Sequence, residues 1–455
     1  MNWKNVRFLW LKSLMLLGFL SVPVHAQAPS YFVNAFAPAA GADGLSWATA
    51  FPTLDQALAL STVGDNVWVA QGIYVPSTQT IAGDQRSQSF VIPSGVNIYG
   101  GFDGTETTFD QRAGLFTRTI LTGEIGTAAL NDNTYHVLTM VNNFFGNEVD
   151  GFVVRDGHAL GGPNPNGGAA DTFNGFIAWF RNVTFENNFA QDGGALYSQL
   201  TQIWTSKCTF RGNFATRDGG AVFVRTTRYL SSHSFYFDNS ARRRGGAVAV
   251  RNQSSSNTNR SVLSSCVLDD NTAFGRGGAI HVGAGAQLSP TAFVPGGHLH
   301  VTNCTLHGNT SINAAGGGLF ANESAPIPPT IVVNNSIFWN NGDGTATTVD
   351  DQIGGVLTVD FCDVQGGYAG TSNISQNPQF VDSAGDNFRL LPISACRNAA
   401  DNGRLEFDIL DIDEDNNIAE PNPLDVYLTT RVRQGIVDIG AAETFLGDAG
   451  SGKGN

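Results

Sequence analysis

The sequence predicts an all-β solenoid, a right-handed parallel β-helix capped by a short N-terminal helix, and three observations predict it. Gly-Gly pairs recur at a fixed spacing, an asparagine precedes most pairs at a constant distance, and short apolar strands separate these features. Gly contributes 54 of the 455 residues, and charged residues make up only 14%. A coiled coil or helical bundle would instead be rich in Ala, Glu, Lys and Leu.

The Gly-Gly pairs define the repeat. The first four pairs are 26 residues apart, and two more follow after 32 and 39 residues, with the excess in loop-like stretches. The pairs begin at Gly167, Gly193, Gly219, Gly245, Gly277 and Gly316. A fixed period indicates stacked units, and glycine supplies backbone conformations closed to other residues. A leucine-rich repeat would need a Leu frame, and a propeller blade would need about 40 residues.

Asparagines mark a turn before these pairs. They lie six residues before four pairs and seven before the last, at Asn187, Asn213, Asn239, Asn271 and Asn309. Because coils of a β-helix stack about 4.8 Å apart, these asparagines are predicted to form a ladder that joins neighbouring turns.

A second ladder is predicted from small residues that lie five positions before each asparagine and open another apolar strand. They are Asn182, Cys208, Ser234, Cys266 and Cys304, and Ser336 precedes Asn341 in the same way. The shared position predicts buried packing for the cysteines. An oxidising compartment would also permit a disulfide between Cys266 and Cys304, and the sequence leaves this open.

The N-terminal third repeats less clearly. Short apolar segments such as Asn66–Ala70, Val96–Tyr99 and Gly151–Arg155 predict earlier coils. The segment Thr53–Leu60, rich in Ala and Leu, is the one convincing amphipathic helix. That helix would cover the unpaired strand edges of the first coil, which would otherwise invite aggregation.

The chain divides into four parts. Residues 1–26 predict a secretory signal peptide, because basic residues precede an apolar run and the small residues Val24 and Ala26 precede the cleavage point. Residues 27–375 are predicted to form the β-helix, with clear repeats over 167–341. Residues 376–446 are predicted to end the helix, and 447–455 to form a flexible tail. No later stretch has about 18 consecutive apolar residues, so no transmembrane segment is expected in the mature chain.

The repeat carries a family resemblance. Phe-x-x-Asn occurs at Phe185–Asn188, Phe210–Asn213 and Phe338–Asn341, together with Gly-Gly-Ala followed by Ile, Leu or Val. This pairing resembles the repeats of polymorphic outer membrane proteins, over Asn182–Asn341. The resemblance implies a surface-exposed bacterial β-helix protein, often adhesive.

The flanking regions carry two more resemblances. Asp43–Phe51 and Val67–Tyr74 look like the opening cap of bacterial pectin-lyase-like β-helix proteins. Asn377–Asp382, Asp386–Leu390 and Val437–Glu443 resemble the choice-of-anchor Q domain. The second resemblance implies a region that ends the β-helix ahead of a sorting signal.

An acidic loop near the C-terminus is a candidate metal site. Asp411, Asp413 and Asp415 lie at alternate positions, as in the first half of a calcium loop, and are predicted to be calcium ligands. Asn416 replaces the usual turn glycine, and Asn422 lies where a bidentate Glu would lie. A solvated acidic loop is the alternative.

A basic strip is the candidate ligand-binding surface. Ten arginines and four acidic residues lie between 211 and 276, in a chain of net charge −14. Arg217 and Arg243 both lie two residues before a Gly-Gly pair, and Arg225 and Arg251 both lie six after its first glycine. Such in-register arginines would repel each other at about 5 Å unless anions intervene. They are predicted to bind an acidic glycan; a solvated strip beside aspartates is the alternative.

Catalysis has weaker candidates. Hydrolases of this fold use paired Asp as general acid and base, and Asp269 with Asp270 is the best match. Asp156 with His158 is the second. Asp269 and Asp270 directly precede a predicted ladder asparagine, so a solvated turn is the simpler explanation for them. Asp156 and His158 fit an ordinary strand exit equally well. We therefore assign no catalytic residue.

Together these features favour a secreted, cell-surface or outer-membrane protein that acts by binding. The expected partner is an acidic polysaccharide or a host or cell-surface glycan, contacted in adhesion. A polysaccharide lyase or glycoside hydrolase, and a structural spacer, are the alternatives. The acidic net charge of −14 argues against general nucleic-acid binding. Calcium is the one cofactor candidate.

Overall fold

The computed structural model describes residues 29–112, 118–127, 129–225, 227–251, 260–284, 286–289, 292–294, 296–313, 315–322, 328–342, 349–355 and 357–444. Within these residues the chain winds through three long parallel sheets whose adjacent strands come from successive coils. Each repeat passes through sheet 1, sheet 2, a short fourth sheet and sheet 3 in that order. The predicted parallel β-helix is thereby confirmed. The predicted signal peptide and tail lie outside the described residues.

Sheets 1 and 2 run along most of the helix. In the described part of the chain, sheet 1 has eleven strands: Tyr31–Val33, Asn66–Ala70, Asn97–Phe102, Asn147–Asp150, Ile177–Arg181, Gln202–Ser206, Tyr229–Ser232, Ser261–Ser264, His298–Thr302, Thr330–Asn334 and Thr358–Asp360. Sheet 2 has ten described strands: Gly72–Tyr74, Thr119–Thr122, Val153–Arg155, Thr184–Glu186, Thr209–Arg211, Phe235–Phe237, Val267–Asp269, Thr305–His307, Ile337–Trp339 and Asp363–Val364.

Sheet 3 and the short sheet complete each coil. Sheet 3 has nine described strands: Phe90–Val91, Leu138–Thr139, Ala170–Phe173, Leu196–Gln199, Val222–Arg225, Val248–Arg251, Ile280–Val282, Leu319–Ala321 and Ile353–Gly354. The short sheet has five: Phe189–Ala190, Phe214–Ala215, Ser240–Ala241, Thr272–Ala273 and Thr310–Ser311. Two antiparallel pairs lie apart from the coils: Ala286–Ser289 with Ala292–Val294, and Phe380–Asp382 with Asn387–Leu390.

Helices are short in the described chain. The two α-helices are Leu54–Leu60 and Val349–Gln352, and the 3₁₀ helices are Trp47–Thr49, Gln85–Ser87, Phe109–Gln111, Leu130–Asp132, Ser383–Gly385 and Asn402–Arg404. The longest has seven residues, whereas about 20 are needed to cross a bilayer. As predicted, the first α-helix packs on the opening strands and buries Leu54, Ala57 and Leu58.

The core is one column of side chains inside the coils. Along sheet 2, the fully buried rings of Phe185, Phe210 and Tyr236 stack with centroid distances of 4.9 and 4.7 Å. Equivalent positions therefore contact one another because the repeat fixes their register.

A buried amide ladder follows sheet 2. Each side chain donates from Nδ2 to the side-chain oxygen of the next coil at 2.8–3.0 Å. The ladder residues are Asn188, Asn213, Asn239, Asn271, Asn309 and Asn341, and Gln352 ends the series. Every asparagine in it is at most 1% exposed. Buried amides require such partners, so each coil depends on its neighbour.

The predicted ladder contained one wrong residue, because Asn188 rather than Asn187 occupies the first of these rungs. Asn187 is exposed and has φ 55°, the left-handed conformation. The equivalent positions in later coils include Gly212 and Gly308, with φ 64° in both. The left-handed residue thus precedes the ladder residue, and either glycine or a short polar side chain tolerates it.

The two glycines of each pair have different roles. The first has positive φ, for example 70° at Gly219 and 63° at Gly245, as expected for glycine. The second, such as Gly220, lies against the next coil, where a methyl group would fall 1.9 Å from the Gly246 carbonyl oxygen. Close approach of the coils, rather than a special conformation, therefore requires the second glycine.

The cysteines occupy the interior as predicted. The backbone amide of Cys208 donates to Ser234 Oγ at 3.3 Å, and that of Cys304 donates to Ser336 Oγ at 3.1 Å, so these residues share one ladder position. All five cysteines are buried and free. Burial raises the pKa of the Cys208 thiol to about 12, so this group is neutral at physiological pH.

Replacing Asn188 by Ala should destabilise the protein by about 2–3 kcal/mol, because the Gly157 amide and the Val154 carbonyl lose a buried partner. Replacing the adjacent Asn187 by Gly should change stability by less than about 0.5 kcal/mol, since glycine occupies that position in other coils. Chemical denaturation of both variants checks this. Equal losses would contradict the assigned ladder.

Candidate functional site

The C-terminal segment (residues 376–444) folds back along the outside of the β-helix. Side chains of sheet 1 alternate between interior and exterior, and Trp179, Leu230 and Val262 face outward. Leu410 and Ile412 pack on these three residues and are 4% and 1% exposed. The segment therefore covers several coils from the side.

Buried arginines join this segment to the helix. Arg181 donates to the Leu410 carbonyl at 3.1 Å, across the surface of sheet 1. Arg431, fully buried, donates to the carbonyls of Gly440, at 2.9 Å, and Asn303, at 3.3 Å. Because guanidinium groups without partners are costly to bury, these bonds fix the position of the segment.

Replacing Ile412 by Asp should release the C-terminal segment, because the new carboxylate would lie against Trp179 and Leu230 without a partner. Limited proteolysis should then cut within residues 376–444 at least about tenfold faster, as expected for a local opening cost above 1.4 kcal/mol. The same change at Ile393, which is 79% exposed, is the matched control and should leave the cleavage rate unchanged.

The acidic loop lies within this segment. Carboxylate oxygens of Asp411, Asp413 and Asp415, the predicted calcium ligands, lie within 4.8 Å of one another. A second group shares Asp413 and adds Asp408 and Glu420, again within 4.8 Å. Asp408 and Glu420 were not predicted as ligands, because the loop pattern places the bidentate ligand at position 422.

Asn422 faces elsewhere. Its amide donates to Ser264 Oγ on sheet 1 at 2.9 Å, so it is a docking contact. Asp408 is 1% exposed, and burial together with the nearby Asp413 and Asp411 raises its pKa to about 6. The loop thus gathers carboxylates at the edge of sheet 1, and two of them, those of Asp408 and Asp411, are buried.

The predicted arginine ligands lie on the outer face of sheet 3 and the turn before it. Arg225 and Arg251 are direct Cα partners in adjacent strands. Arg243 donates its backbone amide to the Arg217 carbonyl at 2.9 Å, so those two are also one coil apart. We call this region the arginine surface, and it comprises Arg217, Arg225, Arg243, Arg244, Arg251 and Arg276.

Two buried aspartates balance part of this charge. Arg217 lies 3.6 Å from Asp192, and Arg243 lies 3.8 Å from Asp218. Arg244 and Arg251 form no ion pair within the described residues. The alternative of neighbouring aspartates therefore accounts for Arg217 and Arg243.

A small polar cavity opens on the arginine surface. Asp218, Arg244, Arg251 and His281 contribute to its lining. His281 is 4% exposed, and its Nε2 has no hydrogen-bond partner among the described residues. Burial, with Arg244 and Arg251 nearby, lowers the pKa of His281 to about 3, so the ring is neutral at pH 7. The cavity therefore presents guanidinium groups and a neutral imidazole, which suit an anion, beside the Asp218 carboxylate.

The first catalytic candidate is an aspartate cluster at the C-terminal end of the sheet 2 strand Val267–Asp269. Asp269 is buried and its Oδ1 lies 2.7 Å from His307 Nδ1. Asp270 is exposed, and a methyl group at Gly308 would lie 2.3 Å from Asp270 Oδ1 and 3.2 Å from Asp269 Oδ1. Burial raises the pKa of both aspartates. The two carboxylates are thus close together beside a histidine.

The two residues of the second catalytic candidate, Asp156 and His158, contact different arginines. Asp156 lies 3.2 Å from Arg155, whereas His158 Nδ1 lies 3.2 Å from Arg86. Arg86 also donates to the His158 carbonyl at 2.7 Å. The partners of Asp156 and His158 indicate a structural role for both.

Comparison with known proteins found a matching repeat family and several similar solved structures. Residues 182–199 and 207–225 match the Chlamydia polymorphic membrane protein repeat. Among solved structures, the pectate lyase Pel9A has 13% identity and a TM-score of 0.46, covering 91% of this chain and 96% of that chain. A rhamnogalacturonan lyase has 11% identity and a TM-score of 0.45, covering 78% and 91%.

A pectin methylesterase from Aspergillus niger has 15% identity and a TM-score of 0.39, covering 73% of this chain and 92% of the other. The comparison with curated proteins gave no match. These similarities assign no role to the sites described above.

Proposed function

We propose that this is an exported, surface-exposed protein that binds an acidic polysaccharide or cell-surface glycan along the arginine surface. The observation that carries the proposal is the in-register pair Arg225 and Arg251 beside the cavity that holds His281. The repeat match at residues 182–199 and 207–225 supports a bacterial surface location.

The spacing of the arginine surface suits a polymer better than a single small anion. Arginine positions repeat from coil to coil at about 4.8 Å along the helix axis, as the Cα partners Arg225 and Arg251 illustrate. Each guanidinium group can form paired hydrogen bonds with a carboxylate or sulfate. A chain that carries anionic groups at regular intervals would neutralise Arg244 and Arg251, which have no ion pair in the described residues.

Replacing both Arg225 and Arg251 by Glu should abolish retention on a column of sulfated or uronate glycan at low salt, because attraction becomes repulsion. The parent protein should bind and elute as salt rises. Circular dichroism and melting should show the fold intact, since both side chains lie on the outer face.

The matched control replaces Arg397 and Arg433, on the C-terminal segment, by Glu. It changes the net charge by the same amount and should elute with the parent protein. Equal loss of retention in both double variants would show that the effect depends only on net charge. Absence of binding by the parent at low salt would contradict the proposal and favour a spacer.

A second candidate function is glycoside hydrolysis at the aspartate cluster. It is favoured by the proximity of Asp269 and Asp270 beside His307, because paired carboxylates can act as general acid and base. Burial raises the pKa of both aspartates, which is the direction a general acid needs. Incubation with a panel of polysaccharides would then release reducing sugar, and Asp270→Asn would stop the release. No product, or product from the variant as well, would eliminate this candidate. Unsaturated products would indicate a lyase instead.

A further inference from the structure

We propose that Asp408, Asp413 and Glu420 bind a calcium ion, and that the ion holds the C-terminal segment against sheet 1. Asp411 and Asp415 form a second carboxylate group around the same Asp413. The proposal goes beyond glycan binding and does not depend on it. It extends the predicted Asp411, Asp413 and Asp415 set by the two carboxylates that folding brings to it.

The carboxylate oxygens of the loop are spaced closely enough to share one calcium ion. Calcium–oxygen bonds of about 2.4 Å place ligand oxygens no more than about 4.8 Å apart across the ion. Oxygens of Asp408, Asp413 and Glu420 meet this limit, and so do those of Asp411, Asp413 and Asp415. Asp413 belongs to both groups, so its carboxylate is the one that either arrangement of ligands would use.

The two carboxylate oxygens of Asp408 differ in their hydrogen-bond partners. Its Oδ2 accepts a hydrogen bond from the Ile412 amide at 2.8 Å, but its Oδ1 is buried and has no partner among the described residues. Glu420 Oε1 is in the same state. Buried carboxylate oxygens without donors are costly unless a cation coordinates them.

The nearby basic side chains form ion pairs with a carboxylate outside the proposed site. Lys207 lies 3.0 Å and Arg181 lies 3.5 Å from Glu414, which is on the loop but outside both carboxylate groups. In the described chain no Lys or Arg forms an ion pair with any of the five carboxylates. A cation bound from solution would offset their mutual repulsion.

The donor set selects the class of ion. All five side chains offer oxygen, and neither group contains His or Cys. Hard oxygen donors suit calcium rather than zinc. Magnesium requires a nearly ideal octahedron with bonds of about 2.0–2.1 Å, whereas calcium tolerates a flexible loop.

The position of the loop connects ion binding to docking. Leu410 and Ile412, which lie between Asp408 and Asp413 in the chain, pack on Trp179 and Leu230. An ion that joins both flanking aspartates fixes this apolar contact between them. Ion binding should therefore stabilise the folded protein by mass action.

The test measures melting of the full chain in chelator and in millimolar calcium. Calcium should raise the melting temperature by several degrees, because an ion at about 100 times its Kd stabilises the folded state substantially. Magnesium at the same concentration should have a smaller effect. Terbium should show emission sensitised by Trp179 and Trp204, which pack beside the loop.

Asp413→Asn should remove both the calcium shift and the terbium emission, and this exposed position should tolerate the change. Glu414→Gln is the matched control, with the same loss of charge in the same loop, and should retain both signals. Indifference of the parent protein to calcium, equal effects of calcium and magnesium, or unchanged signals in Asp413→Asn would each overturn the proposal. Glycan retention plays no part in these readouts, so failure here leaves the proposed function to its own test.

Discussion

Register between coils is the constraint on which the whole molecule depends. Every strand of the three long sheets pairs with the equivalent strand one coil away, so any residue type that recurs in the repeat becomes a continuous column. Apolar columns fill the interior, and the asparagine column satisfies buried amides. The same rule places Arg225 beside Arg251 on the outer face, where it brings like charges together.

Much of this architecture could be predicted from sequence because it is periodic. The spacing of the Gly-Gly pairs identified the stacked coils and the register of the arginines. The sequence pattern did not distinguish Asn188 from Asn187 as the ladder residue, because an asparagine at position 187 is compatible with either a turn or the ladder. Only the comparison with Gly212 and Gly308, which lie at the exposed left-handed position, distinguishes them.

The candidate sites were predictable only in part, since contacts outside the repeat have no periodic signal. The alternation of Asp411, Asp413 and Asp415 is local and was visible. The convergence of Asp408 and Glu420 depends on how residues 376–444 cross sheet 1, which no spacing encodes. The cavity at His281 likewise arises where the arginines of one coil meet the imidazole of the next.

The path of the C-terminal segment changes how a solenoid of this kind folds. Contacts in a simple repeat protein join nearest neighbours, so its ends can fray one coil at a time. Here Arg181 is bonded to a carbonyl 229 residues later in the chain, and Ile412 packs on Trp179. Opening a coil in the middle of the helix therefore also breaks contacts with Leu410 and Ile412, which makes unfolding more cooperative. During synthesis the outward side chains of Trp179 and Leu230 stay uncovered, and open to association, until these two residues have been made.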